Sequence, residues 1–335
     1  MRPKARFYVG LLCMLAVGFA SCSDDDDDKG KGNDNGGVAQ ELPSSSDVGI
    51  KFPVQACMKN GYLRTYRYDG NGRMLACVSD EENFVYNSNP LSVYVTYNKN
   101  SSDANDWKSY ENIRVNTSGF MTSCDGLYYE DHSYGEIESG SFSGTFTYDA
   151  DGHILSEDGI MTCGNEENYE KWTMTFTWTD GNLMKIVTNS SYKNTEEEEE
   201  GTSQEIIEFT YDKTTYSNSG LYYFADVVGG TWLLDSPSFF YTGLMGRTTK
   251  NIPTSYTITY SENGEVDYSD SYMVSKVEYN ADGSIRLISA DYYDSSYSCE
   301  LYYGYAGYPL PDWSYGVAPQ LRMKGLRHYR TMLHR

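Results

Sequence analysis

One motif recurs along this chain and leaves few folds open to it. An alternating strand ends in Tyr-Asp or a variant, an Asx-Gly turn follows, and a second apolar stretch leads away. The clearest copies are YRYDGNGRML (Tyr66–Leu75), FTYDADGHIL (Phe146–Leu155) and VEYNADGSIRLI (Val277–Ile288). FTWTDGNLMKI (Phe176–Ile186) and ITYSENGEV (Ile258–Val266) are looser versions, and FTYDKTTY (Phe209–Tyr216) keeps only the strand half. Alternation with a period of two makes a strand with one buried face. Asn or Asp before Gly supplies the positive φ that tight hairpin turns demand. Turn chemistry accounts for the acids of the motif. A calcium loop starting at Asp149 needs glycine and an acid where Ile154 and Ile160 stand.

The copies are unevenly spaced, with aligned aromatics at Tyr68, Tyr148, Trp178, Tyr211, Tyr260 and Tyr279. A solenoid or propeller keeps a nearly constant period. The expected fold is therefore all-β: an antiparallel meander of long hairpins forming one curved sheet or an incomplete barrel. The 33 tyrosines suit that fold, because tyrosine favours strands and carries an apolar ring with a polar tip. Helix signals are scarce. The best is DSPSFFYTGLMG, with Ser236 as N-cap, Pro237 in the first turn and Gly246 as the stop, a short helical, apolar insertion near 236–246.

The N-terminus sets the address. Arg2, Lys4 and Arg6 precede an apolar run from Phe7 to Ala20, too short to span a bilayer, which takes roughly 20 residues. Ala20 and Ser21 then lead into Cys22, the arrangement of a lipobox, so residues 1–21 are read as a lipoprotein signal peptide and Cys22 as the lipidated residue. The Asp24–Asp28 run directly after it resembles the surface-export signal of Bacteroidetes lipoproteins. Residues 22–48 are too polar to fold and form a tether, which as a random coil spans roughly 25–30 Å. A single all-β domain is expected over 49–312, followed by a basic tail at 313–335. The predicted location is the outer membrane, lipid-anchored, with the cell surface favoured over the periplasm-facing leaflet.

Removing the signal takes the net charge from −22 to −25, which argues against nucleic acid or anionic lipid as partner. The acidic runs Asp24–Asp28 and Glu196–Glu200 read as solvated segments. Cys57, Cys77, Cys124, Cys163 and Cys299 remain, an odd number that leaves at least one thiol unpaired within a monomer. They have no CxxC spacing for zinc or redox chemistry.

Taken end to end, the lipobox, acidic linker and YD hairpins resemble a Bacteroidetes lipoprotein family of unknown function with a porin-like fold. The stretch TWLLDSPSFFYTGLMGRTTKNIPTSYTITY, Thr231 to Tyr260, carries the same resemblance. The resemblance implies a curved antiparallel sheet wrapped around its contents, and it transfers no catalytic residues. The hairpins are also similar, more weakly, to the YD-repeat (RHS) shells. A membrane pore is not expected, because charged residues interrupt many strands that would need an apolar lipid face.

No catalytic constellation is visible. HExxH, P-loop and GxSxG motifs are absent, and GSFSG (Gly140–Gly144) has Phe142 where a nucleophile elbow needs serine. The chain is thus read as a non-enzyme with no cofactor and no metal site. The strongest constellation is apolar: Trp232, Leu233, Leu234, Phe239, Phe240, Tyr241, Leu244 and Met245, between Gly229-Gly230 and Gly246. These residues either plug the open side of the sheet or contact an apolar or amphipathic ligand, lipid-like or glycan. The alternative is a structural or interaction protein with no small ligand, recognisable by an exposed aromatic patch.

Overall fold

The computed structural model describes residues 52–310, except 59–62, 69–73, 80–81, 89–90, 99–104, 132–136, 196–198, 213–215, 219, 229–230, 232, 235, 293–297, 306 and 309. The signal, Cys22, the tether, the basic tail and Trp232 lie outside the described residues.

Sixteen strands close into one antiparallel barrel. They are β1 (Gln55–Met58), β2 (Leu63–Tyr68), β3 (Met74–Ser79), β4 (Glu82–Ser88), β5 (Leu91–Asn98), β6 (Asn105–Val115), β7 (Met121–Asp131), β8 (Ile137–Tyr148), β9 (Ile154–Cys163), β10 (Asn165–Thr179), β11 (Asn182–Asn194) and β12 (Glu199–Thr210), then β15 (Ser255–Glu262), β16 (Glu265–Tyr279), β17 (Ile285–Tyr292) and β18 (Ser298–Gly304). Between β12 and β15 runs an excursion holding β13 (Tyr216–Ser217), α1 (Tyr223–Val228), a 3₁₀ helix (Pro237–Thr242) and β14 (Asn251–Ile252). The expected curved sheet is correct in kind, but it is not incomplete: β18 pairs back onto β1, with Gln55 opposite Gly304 and Met58 opposite Leu301. Hairpin patterning acts between sequence neighbours, whereas this last pairing joins the two ends of the domain.

The recurring motif has a definite structural job. The turns after β6, β8, β10 and β16 gather at one end of the barrel, the near end. Asn116, Asp149 and Asn280 each accept from a glycine N–H three residues on and donate back one residue beyond it. Asp180-Gly181 joins β10 to β11 with positive φ at both residues, as a two-residue hairpin turn requires. The register shifts at Arg67/Tyr68, Thr147/Tyr148, Thr177/Trp178 and Glu278/Tyr279, so the motif aromatic sits on a β-bulge just before the turn. A bulge re-aims the side chain that follows it. Here it swings the aromatic tip onto a neighbouring carbonyl: Tyr148 donates to Met121 at 2.8 Å and Trp178 to Ile154 at 2.7 Å, and Tyr211, just after β12 and with no bulge, donates to Leu183 at 2.8 Å. The first two bonds tie the end of one strand to the first residue of the strand before it, and the third reaches the second residue of β11. The looser copy at Asn263-Gly264 makes its turn at the opposite, far end.

Inward positions carry the core. Tyr66, Phe84, Tyr110, Phe146, Met174, Ile207, Tyr256 and Tyr303 all point inside and are buried. Four inward glycines face an aromatic ring across the strand pair: Gly126 opposite Phe142, Gly140 opposite Tyr128, Gly159 opposite Trp172 and Gly201 opposite Tyr192. In each case the ring lies over the glycine, so a Cβ there would overlap it. This pairing of glycine with a covering aromatic lets a tightly curved wall stay packed. Gly159→Ala is therefore expected to cost about 1–3 kcal/mol by overpacking, read from the urea midpoint. Trp172 has little room to yield, because it is buried and its Nε1 donates to Glu157 at 2.8 Å. An unchanged midpoint would show that the wall flexes there.

Candidate functional site

A barrel of 16 strands is wide enough to leave an aqueous channel unless something fills it. Here the excursion between β12 and β15 fills it. Phe239 packs edge-on against Phe84 of β4 and Tyr110 of β6, Phe224 against Phe176 of β10 and Tyr223 against Tyr256 of β15, while Tyr241 lies tilted against Tyr66 of β2. Walls from around the whole circumference thus converge on one segment, which places it in the lumen. Leu233, Leu234, Phe239, Phe240, Tyr241, Leu244 and Met245 are each at most 4% exposed. They meet protein on all sides, and their polar backbone is tied to the wall and the near-end turns. Tyr110 donates to Leu233 O at 3.0 Å, Met121 N to Leu244 O at 2.8 Å, Arg247 N to Gly152 O at 2.8 Å and Lys250 N to Gly181 O at 2.8 Å.

The 3₁₀ helix starts as expected, with Ser236 Oγ accepting from Ser238 N and Pro237 in the first turn. Its stop is Gly243, in the left-handed conformation, rather than Gly246. The six residues of α1, YFADVV, carry no helical period, and only packing makes them a helix.

Two buried carboxyls hold the plug. Asp226 on α1 accepts from Tyr241 at 2.7 Å and from Tyr303 of β18 at 2.9 Å, with Arg64 of β2 at 3.6 Å. Burial pushes this carboxyl up, and Arg64 and the two hydroxyls pull it back. Glu157 of β9 accepts from Trp172 and from Leu233 N at 2.9 Å, and burial raises it to about 7 against those bonds. Toward the far end the inward face turns polar, with Thr188, Ser190, Ser203 and Glu205 buried; burial alone raises Glu205 to about 7. Cys57, Cys77 and Cys124 are buried and Cys163 and Cys299 half-buried, with no disulfide among the described residues.

Asp149, Asp151 and His153 cluster in the turn after β8. Burial raises the Asp149 carboxyl, but the His153 ring at 2.9 Å and its backbone N–H outweigh that and lower it. The His153 ring also stacks on Trp178, so the cluster is accounted for as a turn clasp.

Much of the outer wall is polar. Outward positions carry Thr175, Thr177, Lys185, Asn189, Glu208, Ser269, Lys276 and Arg286. Exposed apolar residues occur at Val78 of β3 and at Val266, Met273 and Tyr279 of β16, and an aromatic stretch spans β4 to β9. Val85, Tyr94 and Leu127 are exposed there, and Tyr94, Trp107 and Tyr129 stack in a ladder with centroids 5.9 and 6.3 Å apart. Beside the ladder lies a depression of about 380 Å³ lined by Glu111, Asp125, Leu127, Ser141, Ile160 and Thr162, among others. Sequence reading missed this site, because its residues come from four strands and only the barrel register assembles them. The GSFSG segment was the one local signal.

No protein-family model matches the chain, and no curated protein matches it in sequence. Among solved structures, a porin-like protein from Bacteroides vulgatus aligns with a TM-score of 0.53 at 13% identity, over 76% of this chain and 98% of that one. A porin-like protein from Bacteroides uniformis aligns with a TM-score of 0.44 at 12% identity, over 79% of this chain and 98% of that one. The chain thus folds as a closed β-barrel similar to the porin-like protein of Bacteroides vulgatus.

Proposed function

We propose that this protein is a surface lipoprotein whose plugged barrel is a rigid, non-catalytic binding module standing in water, with its ligand on the wall rather than in the lumen. The observation that carries this reading is the reversal of polarity. The lumen is filled with Phe and Tyr from the chain's own excursion, and the wall outside is largely Thr, Ser and charged residues. A transmembrane barrel needs an apolar outer band about 25 Å tall. Leu233, Leu234, Phe239, Phe240, Tyr241, Leu244 and Met245 are buried against the wall, which favours the plug over the lipid-like ligand for this constellation. In this reading Cys22 supplies the attachment to the outer membrane.

The test is the behaviour of the full chain with Cys22→Ala, which cannot be acylated. It is expected to leave the membrane fraction, to be monodisperse without detergent, and to give no conductance steps in planar bilayers. A variant that still pellets with membranes, or needs detergent, would overturn the reading. The exposed ladder favours a second reading, an interaction surface for another protein. Analytical ultracentrifugation of that same variant checks it: self-association that Trp107→Ser abolishes supports the interaction surface.

A further inference from the structure

We infer that the furrow along the outside of β8 is a binding groove for a neutral glycan chain. The inference rests on the binding-module reading and adds the site and the ligand class. Its basis is the alternation within IESGSFSGTFTY. Gly140, Phe142, Gly144 and Phe146 point into the barrel, so Ser139, Ser141, Ser143, Thr145 and Thr147 form an unbroken outward row of small hydroxyl side chains. The neighbouring strands stand taller. In register, Tyr129 and Leu127 of β7 flank Ser139 and Ser141, while Thr162 and Ile160 of β9 flank Ser141 and Ser143. The result is a hydroxyl-floored trough whose sides carry Tyr129, Leu127 and Ile160 alongside Asp125 and Thr162, the last within 3.0 Å of the Ser141 hydroxyl, and the depression of about 380 Å³ is its middle.

Three features choose the ligand. The Tyr129 ring has one face against Trp107, with only 7° between the planes, and its other side fronts Ser139, which has no ring to cover it. An aromatic wall beside hydroxyls suits the apolar face and hydroxyl edge of a sugar ring. Second, Glu111 and Asp125 sit directly opposite each other on β6 and β7 beside Ser143, and both line the depression. Like charges in that position are destabilising on their own. They offer acceptors to sugar hydroxyls and, with a net charge of −22, repel uronate or sulfated chains and phosphate headgroups. Third, β8 is hydrogen-bonded on both sides, to β7 and β9. Its backbone is therefore closed to an added peptide strand. What remains on offer is side-chain hydroxyls and carboxylates, the partners of a polyol.

The experiment is affinity electrophoresis of the Cys22→Ala protein through gels containing glucan, mannan, xylan or galactan, with polygalacturonate and heparin as acidic controls. At least one neutral polymer is expected to retard the protein and neither acidic one should. Ser141→Trp, which fills the trough from an exposed position, is expected to weaken binding by at least about tenfold. Ser269→Trp on β16 should bind like the parent, and matching melting curves for both variants exclude misfolding. Retardation that survives Ser141→Trp overturns the groove and leaves the binding-module reading standing. Retardation by the acidic polymers alone, or by none of the six, overturns the glycan assignment. The binding-module reading itself fails separately, on the solubility and conductance of the Cys22→Ala protein.

Discussion

Asp226→Ala is expected to destabilise the barrel by about 3–5 kcal/mol, the cost of removing one partner from a buried charged cluster. The substitution deletes the shared acceptor of Tyr241 and Tyr303 and the carboxylate partner of Arg64. Two buried hydroxyls then lose their shared acceptor inside the barrel, where unpaired polar groups pay their full desolvation penalty. The three partners lie on the plug, on β18 and on β2, which flank β1 at the place where the barrel closes. One carboxyl therefore links plug docking to ring closure. Loss of it should lower the urea midpoint and expose the plug backbone to hydrogen exchange before the rest of the wall. Asp226→Asn keeps an acceptor for the tyrosine hydroxyls and should recover part of the loss. An Asp226→Ala protein within about 0.5 kcal/mol of the parent would mean that apolar packing alone seats the plug.

Stability is expected to fall as pH rises through neutrality. Glu157 and Glu205 are both raised by burial to about 7, above the 4.5 of an unperturbed glutamate. A carboxyl whose folded pKa is raised binds its proton more tightly in the folded state. Its full contribution is present below about pH 4.5 and is lost as pH rises past about 7. Each group is worth up to about 3 kcal/mol across that window. Asp149 and Glu278 are lowered instead, and their contribution is lost only as pH falls below the ordinary carboxyl range. The measurement is the urea unfolding free energy between about pH 5 and pH 8, for the parent and for Glu157→Gln with Glu205→Gln. Glutamine at 157 still accepts from Trp172, so the double variant should keep its fold and flatten the profile. A slope that survives the double substitution would assign it to the general repulsion of an acidic chain.

Both expectations depend on groups that looked ordinary in the sequence. Glu157 sits in SEDG and Asp226 in YFADVV, with nothing local to mark either as buried. The hairpins were legible because their causes are local. Asp180-Gly181 and Asn263-Gly264 demand a tight turn wherever they occur, and the alternation on either side demands strands. Even so, the turn at Asn116–Gly119 escaped notice, since NTSG lacks the Tyr-Asp entry of the other copies. The mid-strand glycines Gly126, Gly140, Gly159 and Gly201 dilute the strand signal of their segments, and only the facing rings show why they are there.

By itself the sequence determined strands and turns, because period-two alternation and Asx-Gly dihedral preferences act over a few residues. It also marked Phe239, Phe240 and Tyr241 as apolar enough to be buried somewhere. The tertiary structure alone decided that the ring closes, that the excursion goes inside it, and which aromatics face out. Tyr66 and Tyr110 are core while Tyr94 and Tyr129 form an outer ladder, although all four are tyrosines in strands. The physical reason is that a residue's side of the wall depends on register. Register is a relation between strands that a single strand does not carry.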